Sequence, residues 1–162
     1  MSRIIGLDLA QNGTWAVMKE KGEPAFIFET NENSICRSPI LIIKDRNVQV
    51  GEDGKKWSPE EQLALYFLDQ KKHAEKRIGE CVSEAVVSVP VHFSYSQCQA
   101  VQDAAKIAGL NIRLIQDPVA VALSLYKEAN KNCAIFCAVV KDGFFDVVPR
   151  FKILSDRKAA AI

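Results

Sequence analysis

Cysteine and histidine side chains are the usual source of metal and redox chemistry, and their spacing in this sequence does not favour either. The five cysteines stand at positions 36, 81, 98, 133 and 137, and the two histidines are His73 and His92. No Cys-x-x-Cys pair occurs, so the sequence predicts no zinc or other metal site. Because Cys98, Cys133 and Cys137 lie among apolar residues, we expect buried free thiols. Unpaired thiols are typical of a reducing compartment, and we therefore expect a cytoplasmic protein.

The charge balance excludes several classes of partner. The formal net charge is +1 and 25% of the residues are charged, so no basic surface predicts binding to nucleic acid or to an anionic membrane. No apolar stretch approaches the ~20 residues of a membrane-spanning helix, and no targeting pattern precedes the first strand. Arg150, Lys152, Arg157 and Lys158 are interrupted by Asp156, which favours a solvated tail.

The first third of the chain has the pattern of an antiparallel meander. Residues 3–9 predict a buried strand, and residues 15–19 predict its partner after the polar turn 10–14. Short apolar runs predict further strands at 25–29, 40–44 and 47–50.

Helices and strands then alternate. Ser58-Pro59-Glu60-Glu61 is a capping box with proline at the first helical position, and Gly79 ends this helix. Its apolar positions are Ala64, Phe67, Leu68, Ala74 and Ile78.

A second helix starts with the capping box 94–97 and ends at Gly109, with Cys98, Val101 and three alanines (104, 105 and 108) on its apolar side. Strands are predicted at 85–89, 112–115, 133–140 and 144–153, and a third helix from Asp117 to about residue 127. The sum is an α/β fold, a mixed β-sheet with flanking helices in the order of a ribonuclease-H-like (actin-like) lobe.

Four blocks of sequence, in the same order, resemble the 70-kDa heat-shock chaperone (DnaK) family. They are residues 5–9 (Ile-Gly-Leu-Asp-Leu), 86–93, 96–110 and 115–123 (Ile-Gln-Asp-Pro-Val-Ala-Val-Ala-Leu, similar to the family's Ile-Asn-Glu-Pro-Thr-Ala-Ala-Ala-Leu). The resemblance implies an actin-like ATPase fold. It favours the chaperone branch over actin-like filament proteins and sugar kinases, which share the fold.

The resemblance also identifies parts that differ from the family. Val50-Gly51 is followed almost at once by the Ser58 helix, where the family has an insert subdomain and a lysine near the γ-phosphate. We expect residues 1–154 to form an ATPase subdomain without that insert and without the second lobe, and residues 155–162 to form a tail.

By the resemblance, Asp8, Gln11, Asn12, Gly13 and Thr14 form a vestigial first phosphate loop. The family has Gly-Thr-Thr where this chain has Ala10-Gln11-Asn12. Larger side chains and the loss of a glycine reduce how closely the backbone approaches a phosphate. The resemblance implies that Asp8 faces a Mg²⁺-bound water, but an aspartate that ends a strand before a turn is common in any protein, and this simpler interpretation is favoured.

The second phosphate loop of the family reads Asp-Leu-Gly-Gly-Gly-Thr-Phe-Asp. Residues 139–146 of this chain read Val-Val-Lys-Asp-Gly-Phe-Phe-Asp, so the leading aspartate, two glycines and the threonine are replaced. An acidic side chain in the loop opposes phosphate binding. We expect Asp142-Gly143 to be a plain hairpin turn.

Three further residues occupy places with roles in the family. Pro90 retains the proline that relays nucleotide state, Cys98 replaces an arginine of the same relay, and Asp117 stands where the family has a glutamate near the metal-bound water. A helix N-cap is sufficient to explain Asp117.

The sequence therefore predicts a non-catalytic member of this chaperone group, with no catalytic residue, no metal and no ATP or Mg²⁺ cofactor. Its expected partner is a protein or a larger assembly, with Trp15, Trp57 and the Phe144-Phe145 pair as candidate contacts. The alternatives are a chaperone fragment with weak ATP binding through Asp8 and the following loop, or a degenerate product without activity. The intact capping boxes indicate that the chain folds.

Overall fold

A computed structural model describes residues 3–9, 14–18, 24–27, 49–50, 54–126, 134–141, 144–153 and 159–161, and the side chains of residues 4–9 and 54–124. The strands in chain order are β1 (Arg3–Asp8), β2 (Thr14–Met18), β3 (Pro24–Ile27), β4 (Gln49–Val50), β5 (Lys56–Trp57), β6 (Val82–Val89), β7 (Asn111–Gln116), β8 (Ala134–Lys141), β9 (Phe144–Ile153) and β10 (Ala159–Ala161). The helices are α1 (Pro59–Ile78), α2 (Tyr95–Ile107) and α3 (Asp117–Tyr126).

Helix α1 begins and ends where its caps predict. The Glu61 backbone N–H donates to the Ser58 hydroxyl at 3.2 Å, and the Ser58 N–H donates to the Glu61 carboxylate at 2.8 Å. These reciprocal bonds satisfy two donors that a helix start leaves unpaired. At the other end Gly79 has φ +76°, the left-handed conformation that glycine adopts without steric cost.

Helix α2 repeats the same N-terminal chemistry. Ser94 accepts from the Gln97 N–H at 3.3 Å, and Gln97 Oε1 accepts from the Ser94 N–H at 2.8 Å. The helix packs against α1. The Lys71 ammonium on α1 donates to the Gly109 carbonyl just beyond α2, at 3.1 Å, so the C-terminal end of α2 is tied to its neighbour.

The main sheet has five strands in the order β3-β2-β1-β6-β7. β1 and β2 pair antiparallel from Ile5↔Val17 to Asp8↔Thr14, and β2 pairs antiparallel with β3. The sheet is mixed, with a parallel part of three strands and flanking helices. Because parallel neighbours need a crossover, α2 connects β6 to β7. The fold class predicted from the sequence is confirmed.

Two smaller sheets complete the described strands. β4 and β5 form a two-stranded ribbon through Gln49↔Trp57 and Val50↔Lys56. β8, β9 and β10 form an antiparallel sheet with β9 in the centre. α3 lies against β8 and β9.

The core consists of apolar side chains from β1, α1, β6 and α2. The largest fully buried ones include Ile5, Phe67, Val87 and Val101. Among the apolar positions named from the sequence, Leu68 and Ile78 of α1 and Cys98 of α2 are only half-buried, because the buried side of each helix centres on other positions. The predicted burial of Cys98 was therefore wrong. Among the described residues, no helix has the length and apolarity needed to cross a membrane.

The chain divides into two compact units. One contains residues 1–87 and 93–114, and the other contains residues 88–92 and 115–162. The sequence predicted a single subdomain over residues 1–154 with a tail at 155–162, and the structure has β10 within that tail, paired with β9. The predicted strand at 40–44 lies outside the described residues, and β6 begins three residues before the predicted strand.

Candidate functional site

The first candidate loop leaves the main sheet at the end of β1. Asp8 is the last residue of β1, is half-buried and lies opposite Thr14 in the register with β2. The two strands therefore hold both ends of the loop at neighbouring positions. Gln11, Asn12 and Gly13 lie outside the described residues, so their predicted role in a phosphate loop stays a prediction.

The second candidate loop joins β8 to β9. The two strands pair without interruption from Cys137↔Val148 to Lys141↔Phe144, so only the two residues Asp142 and Gly143 connect them. Two-residue connections are the tightest hairpins, and Asp-Gly is a preferred sequence for them. The antiparallel hairpin predicted for β8 and β9 is confirmed, although Asp142 and Gly143 themselves lie outside the described residues.

The ribbon of β4 and β5 lies where the sequence predicted a missing insert. Residues 51–55 join its strands, and Ser58 caps α1 directly after β5. The Gln62 side chain of α1 is buried, and its amide donates to the Trp57 carbonyl at 3.0 Å. The Lys55 ammonium lies 3.8 Å from the centroid of the Trp57 ring. The ribbon is thus attached to the first turn of α1.

A model of the Hsp70 protein family matches residues 4–147, which is most of the chain. The chain belongs to the Hsp70 family. The match covers both candidate loops and the ribbon, and it confirms the resemblance carried by the four sequence blocks. It implies an actin-like ATPase fold and a chaperone-related protein.

The β8–β9 turn stands where the Hsp70 family has its second phosphate loop. A phosphate cradle needs several backbone N–H groups converging on one point, with glycines that let the backbone approach closely. In this Hsp70 relative the strands pair as far as Lys141 and Phe144. The side chains at the former glycine and threonine positions are lysine, aspartate and phenylalanine. By residue type these positions are expected to oppose the phosphates of a bound nucleotide, and this stays a prediction.

Pro90 and Cys98 stand at the positions of the family's proline and arginine relay, and the structure describes both. Pro90 follows β6 directly and is buried. Cys98 lies in the first turns of α2, and partial burial raises the pKa of its thiol. A thiol held neutral cannot replace the fixed charge of the arginine that the family carries there. The proline is therefore retained without the charged partner of the relay.

Asp117 is the first residue of α3, and it is buried with 5% of its surface exposed. A carboxylate in the first turn of a helix is stabilised by the unpaired N–H groups and by the helix dipole. Because α3 includes Asp117 as its first residue and does not start after it, the N-cap role predicted for Asp117 stays a prediction. Among the described residues no group of three or more histidine, cysteine, aspartate or glutamate side chains could hold a metal ion.

The aromatic contacts predicted from the sequence are only partly within the described side chains. Trp57 is half-buried, whereas the side chains of Trp15, Phe144 and Phe145 are not described. A feature that the sequence analysis missed is the outward side of α1. Leu65 is 39% exposed on that side. The sequence pattern that could have identified it is the spacing of Leu65 and Leu68 between charged residues.

Proposed function

We propose that this Hsp70-family protein is non-catalytic and acts through protein–protein contacts, as a chaperone-related regulator or as a component of a larger assembly. The observation that carries the proposal is the β8–β9 turn. Phosphoryl transfer depends on positioning the phosphates and neutralising their charge, and this turn has lost the residues that would do so.

The ribbon before α1 supports the same proposal independently. It replaces the insert that brings a lysine near the γ-phosphate in the family, and it is held by the Gln62–Trp57 hydrogen bond. A nucleotide at Asp8 would lack that cation. Two separate contributions to ATP hydrolysis, the glycine-rich second loop and the lysine of the insert, are therefore missing in this proposal. The two losses are independent of each other.

The alternative is an ATP-binding chaperone fragment with residual ATPase activity. It rests on Asp8, which is retained at the end of β1, and on the backbone of residues 11–14. If Mg²⁺-ATP bound, Asp8 would face a metal-bound water, and the first loop would supply backbone amides. We favour the non-catalytic proposal because two of the three phosphate-binding parts are replaced.

A protein partner is the expected kind of ligand. Members of the Hsp70 family typically bind protein substrates and co-chaperones, and this supports a protein partner for the chain. Cys81 and Cys98 are free thiols in the structure, which supports our proposal that the protein acts in the reducing cytoplasm.

The test combines steady-state ATPase assays with affinity purification from the protein's own cell. We expect no turnover above that of Asp8→Asn, and a partner that is recovered equally with and without ATP depletion. Phosphate release that is lost in Asp8→Asn would favour the alternative. Failure to recover any reproducible partner, with no turnover, would instead favour a degenerate product.

A further inference from the structure

Helix α1 has two sides of different character. Seven residues are buried on one side: Gln62, Leu63, Ala64, Tyr66, Phe67, Gln70 and Ala74. At 3.6 residues per turn the opposite side carries Glu61, Leu65, Leu68 and Lys72. Leu65 and Lys72 are exposed, and Leu68 is half-buried. These four residues, 61, 65, 68 and 72, form the outward stripe of α1.

The spacing within the outward stripe is that of a helix–helix seam. Its members are separated by four, three and four residues, the alternation that keeps side chains on one line between two packed helices. Two leucines occupy the centre and charged residues the ends. Leu65 is 39% exposed and Leu68 is half-buried, and a seam would remove their remaining apolar surface from water without changing the fold.

The charges of the outward stripe are self-complementary. Glu61 lies in the first turn and Lys72 three turns later, and the helix as a whole is acidic at its start and basic at its end, with Lys76 and Arg77 in the last turn. When two copies lie antiparallel with Leu65 opposite Leu68, Glu61 of one copy lies opposite Lys72 of the other. A two-fold axis repeats each contact, which is the arrangement of an isologous dimer.

The local ion pairs do not use Lys72. His73 pairs with Asp69 at 3.4 Å and Lys106 with Asp103 at 3.5 Å. Glu75 accepts from the Val82 N–H at 2.9 Å. Within the part of the chain that the structure describes, no ion pair of Lys72 is found, so its ammonium is available to a second molecule.

We propose that the outward stripe of α1 is a homodimer contact, in which two copies of this chain pack antiparallel with Leu65 against Leu68 and Glu61 against Lys72. The occupant is a second copy because one helix supplies both halves of the seam. A seam of four residues on each copy is small compared with the ~1,200 Å² of stable interfaces, so we expect weak association. The dimer does not depend on the proposed loss of ATPase activity.

The test is sedimentation equilibrium of the full chain over a range of protein concentrations, together with the variant Leu65→Gln/Leu68→Gln. Glutamine keeps the helix propensity of these positions. The matched control is Val121→Gln/Leu123→Gln on α3, whose side chains are 39% and 43% exposed but lie outside the outward stripe. We expect the wild type and the control to show a monomer–dimer equilibrium, and the α1 variant to remain a monomer.

A second variant separates loss of the contact from loss of the fold. Lys72→Glu places like charges opposite Glu61 twice in the dimer, and we expect roughly tenfold weaker association at low salt and a smaller effect at high salt. Circular dichroism checks that both variants keep their helix content. A wild type that stays monomeric up to about 1 mM overturns the proposal, and so does association that Leu65→Gln/Leu68→Gln leaves unchanged.

Discussion

In this Hsp70 relative, helices α1 and α2 keep the capping residues that their ends require, whereas the candidate loop between β8 and β9 differs in sequence from that of the family. Helices α1 and α2 each have a complete capping box, and they are tied together by the Lys71–Gly109 bond. The loop between β8 and β9 has instead exchanged glycines for side chains while its strands stay paired. The parts that stabilise the fold are kept, whereas, by the sequence resemblance, the residues of the family's second phosphate loop are replaced.

The difference indicates that the sequence still satisfies the requirements of folding. A cap or a buried ring contributes to folding whatever the protein does, whereas a glycine-rich cradle contributes only when a phosphate is bound. Substitutions in the core and the caps should therefore change the stability of the protein, whereas nucleotide binding reports on the loops.

The largest effect is expected in the core. Phe67 is completely buried, with its ring edge-on to Tyr66 at 5.8 Å between centroids, so Phe67→Ala leaves a cavity and should lower the free energy of unfolding by about 3–5 kcal/mol. Urea denaturation measures this. Leu65→Ala, two residues away but exposed, should cost less than ~1 kcal/mol in the same assay at dilute protein. Equal losses would contradict the placement of the α1 core side.

A smaller effect is expected where α1 ends. Gly79 adopts φ +76° with open space around it, so Gly79→Ala meets backbone strain without a clash. We expect a loss of about 1 kcal/mol in the free energy of unfolding. Thermal denaturation of Gly79→Ala and Gly79→Asn compares the two, and asparagine should recover part of the loss because it tolerates the left-handed conformation better.

The capping serines should each contribute about 1 kcal/mol to the free energy of unfolding. Ser58→Ala and Ser94→Ala remove the acceptors for the Glu61 and Gln97 N–H groups. Ser124→Ala is the control, since Ser124 is exposed and only donates to the Val121 carbonyl within α3. If all three variants had the same stability, the capping boxes would not support the fold as described.

The smallest effect concerns pH. The backbone and hydroxyl hydrogen bonds from Ser58, with Lys55 nearby, lower the pKa of Glu61 below its usual 4.5. Because the pKa is lowered in the folded state, this contribution to stability is present above pH 4.5 and is lost as the pH falls through the folded value. Glu61→Gln should flatten the pH dependence of stability in that acidic range, as followed by urea denaturation from pH 7 to pH 3. An unchanged dependence would show that Glu61 is not held by its cap.

Much of this fold can be predicted from the sequence because its signals are local. The Ser58 and Ser94 boxes, Gly79 and the Asp142-Gly143 turn each act within a few residues, and the corresponding helix ends and hairpin agree with the structure. The start of β6 was missed because exposed Ser83 and Glu84 interrupt its apolar pattern.

Features set by tertiary contacts could not be predicted in this way. The two-residue strand β5 exists through its pairing with β4, and the half-buried position of Leu68 depends on which side of α1 meets the core. The same limit applies to the candidate site. Asp8 was placed correctly at the end of a strand, but the geometry of residues 10–13 is not determined by their types.

The most direct measurement of the central claim is isothermal titration calorimetry of the full chain with Mg²⁺-ATP, with Asp8→Asn as the matched control. We predict no saturable heat up to about 1 mM nucleotide for either protein. Binding tighter than that, worth more than about 4 kcal/mol and abolished by Asp8→Asn, would contradict it and would establish a working phosphate site at the end of β1.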